Sequence, residues 1–223
     1  MPDPGVPGEW PTGEREIDTV SIEAEPRGIT VNGRTYAKPS SPVVVVCVDG
    51  GDPSYLEHAA REHVTPNINR FRREGFYAVG KGTVPSFTNP NNMSIVTGVP
   101  PAIHGISGNF FLERESGEAV MMTGPELLRC ETILAAFSNA GLRVGAVTAK
   151  DKLRAQLGAG LNLAGGSVCF SAQCADECTV PTHGISDVLG YVGMPLPDMY
   201  SADLSLFVMH AGERLLRDGL VDV

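Results

Sequence analysis

Six consecutive apolar residues, Val43 to Val48, ending in Asp49-Gly50-Gly51-Asp52-Pro53, constrain this chain more than any other stretch. The run is bulky and β-branched and does not alternate with polar residues. That is the pattern of a central parallel strand covered on both faces. Helices should flank such a strand, so the expected class is α/β. Asp49 then falls at the strand's C-terminal end, the edge where open α/β sheets place their ligands. Further on, Pro85-Ser86-Phe87-Thr88-Asn89-Pro90-Asn91-Asn92 puts a hydroxyl at the head of a helix. An acidic ligand at a strand end and a hydroxyl at a helix start are two halves of a metal-assisted phosphoryl-transfer site.

The rest of the pattern agrees with this class. Residues 1–27 are rich in Pro and Glu and read as a flexible extension that commits to no fold. Residues 29–36 alternate around Asn32-Gly33, a strong hairpin signal. Thr65 and Pro66 open a helix that Gly75 ends, and Tyr77 to Thr83 reads as another short strand. The spacing predicts a helix from Asn89 to Thr97 closed by Gly98, a second from Cys130 to Ala140 stopped by Gly141, and a strand from Leu142 to Thr148. A strand at Ser167 to Phe170 and helices at Ala172 to Cys178 and Ala202 to Arg217 complete the α/β alternation. Lys150 and Lys152 lie just past a strand's C-terminal end.

Composition excludes several classes of function. An apolar fraction of 42% supplies a real core, and a net charge of −9 leaves no basic stripe to neutralise nucleic-acid phosphates. No run approaches the ~18 apolar residues of a membrane span, and residues 1–16 do not have the form of a secretory signal. The five cysteines are scattered and odd in number, which fits a reducing, cytoplasmic setting better than a disulfide framework. Cys169, Cys174 and Cys178, with His183 nearby, do not have the spacing of a zinc ribbon or finger, so buried or half-buried thiols are the better account.

Taken in order, Asp49-Gly50, the helix start at residues 65–70, residues 88–98 and His104-Gly105-Ile106 resemble the alkaline phosphatase superfamily in its nucleotide pyrophosphatase-like branch. Within that branch, residues 30–36, 42–53 and 148–153 are similar to the phosphonoacetate hydrolases. The resemblance covers residues 29–223 and implies a central, mostly parallel sheet flanked by helices. It also implies a two-zinc hydrolase that cleaves the carbon–phosphorus bond of phosphonoacetate to acetate and phosphate, with a dimeric habit. On this resemblance Asp49 is a zinc ligand and Thr88 is both nucleophile and ligand of the same metal. Asn109 hydrogen-bonds a phosphonate oxygen, and Lys150 and Lys152 grip the substrate's carboxylate. Zinc would lower the pKa of the coordinated hydroxyl, as it does for bound water.

Singly, Asp49 has an ordinary explanation as a turn cap, Thr88 as a helix N-cap and Asn109 as a turn residue. Asp52 is most simply the N-cap of the helix at Pro53. The further Asp and His ligands of the family's full site are not found among these residues. The sequence therefore reads as the N-terminal portion, residues 28–223, of a longer catalytic domain, truncated at its C-terminus. By itself it is expected to be inert and to self-associate through a cut sheet edge. Two other readings stay open: a phosphodiesterase or phosphomonoesterase of the same superfamily, and a non-catalytic module that keeps only the nucleophile half.

Overall fold

The computed structural model describes residues 28–223, so the expected N-terminal extension lies outside the described residues. The chain opens with an antiparallel hairpin of β1 (Gly28–Val31) and β2 (Arg34–Ala37). Its two turn residues have positive φ, 49° at Asn32 and 80° at Gly33, as a tight primed turn requires. Two helices follow, α1 (Pro53–Arg61) and α2 (Pro66–Glu74), then α3 (Thr88–Thr97) and the short α4 (Pro101–His104). A second hairpin, β3 (Phe110–Leu112) with β4 (Ala119–Met121), precedes α5 (Ile133–Asn139). The chain continues through β5 (Gly145–Thr148), α6 (Asp151–Leu157), β6 (Val168–Ser171), α7 (Val180–His183), α8 (Val188–Val192) and α9 (Ala202–Arg217).

The β5–β6 pair is parallel, with Gly145 opposite Val168 and Thr148 opposite Ser171. Residues 222 and 223 bond to the other side of β5, through Asp222 N–H to Arg143 C=O at 2.7 Å and Gly145 N–H to Val223 C=O at 2.7 Å. Val43 N–H in turn reaches Asp222 C=O at 3.2 Å. Arg143 secures this edge by pairing with the Asp222 carboxylate at 2.6 Å. That partner holds the Asp222 carboxyl below the usual carboxylate range.

The largest core forms where α9 lies over this pair of strands. Leu204, Phe207, Ala211 and Leu215 recur at helical spacing and are all buried, against Val168, Phe170, Val188 and Val221. β6 is buried along its whole length, as its apolar run Val168 to Phe170 requires, and the buried Ser171 hydroxyl is satisfied by Asp151. No helix among the described residues is long and apolar enough to cross a membrane.

Four expectations need correction. Val43 to Val48 belongs to no strand and is exposed, Val45 at 74%, and so is most of Tyr77 to Thr83. β-Branched composition supplies the propensity for a strand, but a ladder needs partners. Beyond the local turn from Val48 to Gly51, Val43 N–H is the run's one backbone hydrogen bond among the described residues. The central, mostly parallel sheet is thus represented here by small two-stranded sheets in a mixed α/β arrangement. The third correction concerns Ala172 to Cys178, which holds only a 3₁₀ turn at Ala175–Glu177. Ala172 and Gln173 spend their N–H groups on Thr148 and Ala149 carbonyls, prolonging the sheet bonding instead of starting a helix. The helix expected from Cys130 begins at Ile133, because the Thr132 hydroxyl accepts the Ala135 N–H at 2.9 Å and sets the cap there.

Phe207 has no solvent exposure, so Phe207→Ala should cost about 3–5 kcal/mol in urea unfolding. A loss under about 1 kcal/mol would show that α9 does not seal the core.

Candidate active site

Asp49 and Gly50 form a turn closed by Gly51 N–H to Val48 C=O at 3.1 Å, with Gly50 at a φ of 73°. This turn aims the Asp49 carboxylate toward α3. Thr88 is the first residue of that helix, and its Oγ1 donates to Asp49 Oδ2 at 3.1 Å. The helix receives no side-chain cap from Phe87, and the Thr88 hydroxyl is not a cap either. The two residues are 39 apart in sequence, so this contact is tertiary. Asp52 does what its position suggests, accepting Ser54 N–H at 2.8 Å at the start of α1.

Asn109 joins the same point. Its Oδ1 accepts the Asn89 N–H at 3.0 Å, satisfying one of the open donors in the first turn of α3. With the carbonyl oxygen so engaged, the amide NH₂ makes no hydrogen bond among the described residues and remains a donor for an anionic oxygen. Asn89 is itself anchored, Nδ2 to Met122 C=O at 2.7 Å, and Gln156 Nε2 reaches that carbonyl from α6 at 3.1 Å. This buried amide bridge ties α3 and α6 to the residue that follows β4.

The two lysines sit at the start of α6, which packs against α3. Lys150 is the N-cap residue and Lys152 lies in the first turn, both half-buried. Their backbone is fixed from several sides. Thr148 Oγ1 donates to Lys150 C=O at 2.9 Å, and Gln173 Oε1 accepts Asp151 N–H at 3.0 Å. The Asp151 carboxylate takes Arg154 Nε at 2.6 Å and Ser171 Oγ at 3.0 Å. Burial pushes the Asp151 carboxyl up, but these bonds outweigh it and hold it below the ordinary range. The structure makes no hydrogen bond from either lysine to Asp49, Thr88 or Asn109; Lys150 Nζ instead lies 5.1 Å over the Tyr200 ring.

One carboxylate and one hydroxyl within hydrogen-bond distance suit half of a tetrahedral zinc shell. Among the described residues no group of three or more His, Cys, Asp and Glu gathers to complete one. The cysteine region is not a second centre of reactivity. Cys169 and Cys178 are buried, and burial pushes their thiols up to about 12 and about 11.

Sequence reasoning passed over one pair that looks catalytic. Ser94 Oγ lies 2.9 Å from His104 Nε2. The other ring nitrogen, Nδ1, accepts the Ile106 N–H at 3.1 Å, so the proton sits on Nε2 and His104 donates to Ser94. It is therefore a strut between α3 and α4 and no general base. Gly105 allows this turn: its φ is 87°, and a side chain there would meet the Leu127 carbonyl. Burial pushes the His104 imidazole below its ordinary value against the opposing effect of its hydrogen bonds.

The unfolded chain therefore binds more protons below pH about 6.5, so the strut's stabilisation is full above that pH and falls as pH drops toward the folded value. The His104 imidazole resonances should titrate below the ordinary histidine range, with α3–α4 amide exchange accelerating in step. Titration at an ordinary value would contradict the strut.

Residues 43–157 match the family described as type I phosphodiesterase / nucleotide pyrophosphatase. Among solved structures, phosphonoacetate hydrolase from Sinorhizobium meliloti 1021 in complex with phosphonoacetate is 48% identical, with a TM-score of 0.84. The alignment covers 87% of this chain and 48% of that one. The same enzyme in complex with phosphonoformate matches with the same identity, coverage and TM-score. The present chain thus spans about half the length of these relatives.

Proposed function

We propose, from the premise that this chain belongs to the type I phosphodiesterase / nucleotide pyrophosphatase family, that it carries the nucleophile half of a phosphonoacetate-hydrolysing site. The reaction would cleave the carbon–phosphorus bond to give acetate and phosphate. The observation that carries the reading is the Thr88 Oγ1 to Asp49 Oδ2 contact at 3.1 Å, made at the N-terminus of a ten-residue helix.

Asp49 and Thr88 would be the residues here that hold a zinc ion, which when bound supplies charge that lowers the hydroxyl pKa and neutralises the phosphonate. Thr88 Oγ gives up its proton to solvent and attacks phosphorus, the phosphorus–carbon bond breaks, and its electron pair leaves on carbon, which takes a proton from water to give acetate. Water then releases phosphate from Thr88. Asn109 NH₂ donates to a phosphonate oxygen, and the Thr88 N–H, the one first-turn donor of α3 without a partner among the described residues, adds partial positive charge beside it.

Lys150 and Lys152 hold the carboxylate. As charge develops on the leaving carbon it spreads into that carboxylate, so the lysines stabilise the transition state as well as the bound substrate. The 48% identity to an enzyme solved with phosphonoacetate supports this substrate class.

The bonds from β6 to β5, to residues 222–223, and on to Val43 run in the order of a larger parallel sheet in which Val43 to Val48 is the next strand. Hydrolysis of phosphodiesters is the second reading, favoured by the family match over residues 43–157.

A chimera in which residues 28–223 replace the matching half of the S. meliloti enzyme tests both readings. It should release phosphate from phosphonoacetate faster than it cleaves an aryl phosphodiester, and Thr88→Ala should cut kcat by about a thousandfold or more. The reverse preference would overturn the substrate assignment.

Lys150→Ala and Lys152→Ala should each lower kcat by roughly ten- to a hundredfold. A rise in KM with kcat unchanged would reduce the lysines to uniform binding.

A further inference from the structure

Tyr200 is the most exposed large apolar or aromatic side chain beyond α3, at 85%. Its position is nonetheless fixed. Tyr200 N–H donates to Asp198 Oδ1 at 2.9 Å, and Ser201 binds the Asp198 carbonyl through N–H at 3.1 Å and through Oγ at 2.8 Å. Immediately after this turn α9 is anchored by buried Leu204 and Phe207. A ring carried on so fixed a backbone and left so open is not serving the core.

What the ring faces is the Lys150 ammonium, 5.1 Å from its centroid and within the range of a cation–π contact. The lysine backbone is clamped by Thr148 and by Gln173, so the remaining freedom lies in the four-carbon stem. The aromatic face restricts that stem without consuming any of the three N–H donors. An acidic partner would have done the opposite, neutralising the cation and competing with an incoming anion. Among the described residues no carboxylate pairs with Lys150.

We propose that Tyr200 is a specificity-determining positioning residue, whose ring holds the Lys150 ammonium ready for the carboxylate of a small phosphonocarboxylate. The inference rests on the reading of Lys150 as a carboxylate-binding cation. It adds a selective element: Tyr200 favours ligands bearing a carboxylate beside the phosphonate and is indifferent to a plain alkylphosphonate.

The test uses the chain of residues 1–223 with zinc, binding phosphonoacetate or methylphosphonate by calorimetry, alongside the proton resonance of the Lys150 Cε methylene. That resonance, identified by its loss in Lys150→Arg, should show an upfield ring-current shift that Tyr200→Leu removes and Tyr200→Phe retains. Tyr200→Leu should weaken phosphonoacetate binding roughly two- to fivefold, leave methylphosphonate unchanged, and add nothing to Lys150→Ala. Tyr200→Phe should keep the parent affinity, which a role for the hydroxyl would not allow, and the turn's Tyr200 N–H bond is present in both variants, so a difference between Leu and Phe reports the ring.

If the parent binds phosphonoacetate and Tyr200→Leu binds it equally well, or if the ring-current shift is absent, the inference is overturned and the substrate reading stands. If the parent binds methylphosphonate as tightly as phosphonoacetate, the substrate reading fails and takes the inference with it.

Discussion

The hydrogen bond from Thr88 to Asp49 is the contact on which the arrangement of this site depends. It joins the end of an exposed valine run to the first turn of a helix whose Asn89, Met93 and Thr97 are buried. Without it the Asp49 turn has only local bonding, and nothing among the described residues sets its direction. With it, a carboxylate and a hydroxyl from distant segments share one point in front of a helix N-terminus, where an anion is electrostatically favoured. Because the hydroxyl donates its hydrogen bond to the carboxylate, the pair is arranged with threonine protonated, the state from which a bound metal would displace that proton.

The rest of the structure serves to hold the partners of this contact. Asn109 is fixed through the Asn89 N–H, Asn89 through the Met122 carbonyl, and that carbonyl also receives Gln156 from the helix that begins at the lysines. One buried amide network therefore sets the separation between α3, which begins at Thr88, and α6, which begins beside the lysines. Asn89 Oδ1 and Gln156 Oε1 are buried without a partner among the described residues, so the tie is carried by the two amide N–H bonds to the Met122 carbonyl and the Asn89–Asn109 bond. The α9 core performs the same service for the lysines, since β5, β6 and the loops after them are what α9 covers.

How much of this could be read from the residues depended on whether the cause was local. The Asn32-Gly33 hairpin and the bounds of α9 were legible, because turn chemistry and helical periodicity act within a few residues. Asp49 and Thr88 were legible as a pair only through the order of several motifs, and the structure brings them together. Val43 to Val48 misled because β-branched runs state what a segment would prefer beside partners, and Val45 among them has little cover here. Tyr200 and the Ser94–His104 strut were invisible for the opposite reason. Both come from side chains that meet only after helices and loops have packed, and no spacing announces them.

The central claim is that Asp49 and Thr88 act as one ligand pair, and a double-mutant cycle on zinc affinity tests it most directly. By calorimetry, Asp49→Asn and Thr88→Val should each weaken zinc binding to the chain by about tenfold or more. The double substitution should be little worse than either alone, because removing one partner already destroys the pair. Zinc affinity unchanged in both single variants, or losses that simply add, would contradict the account.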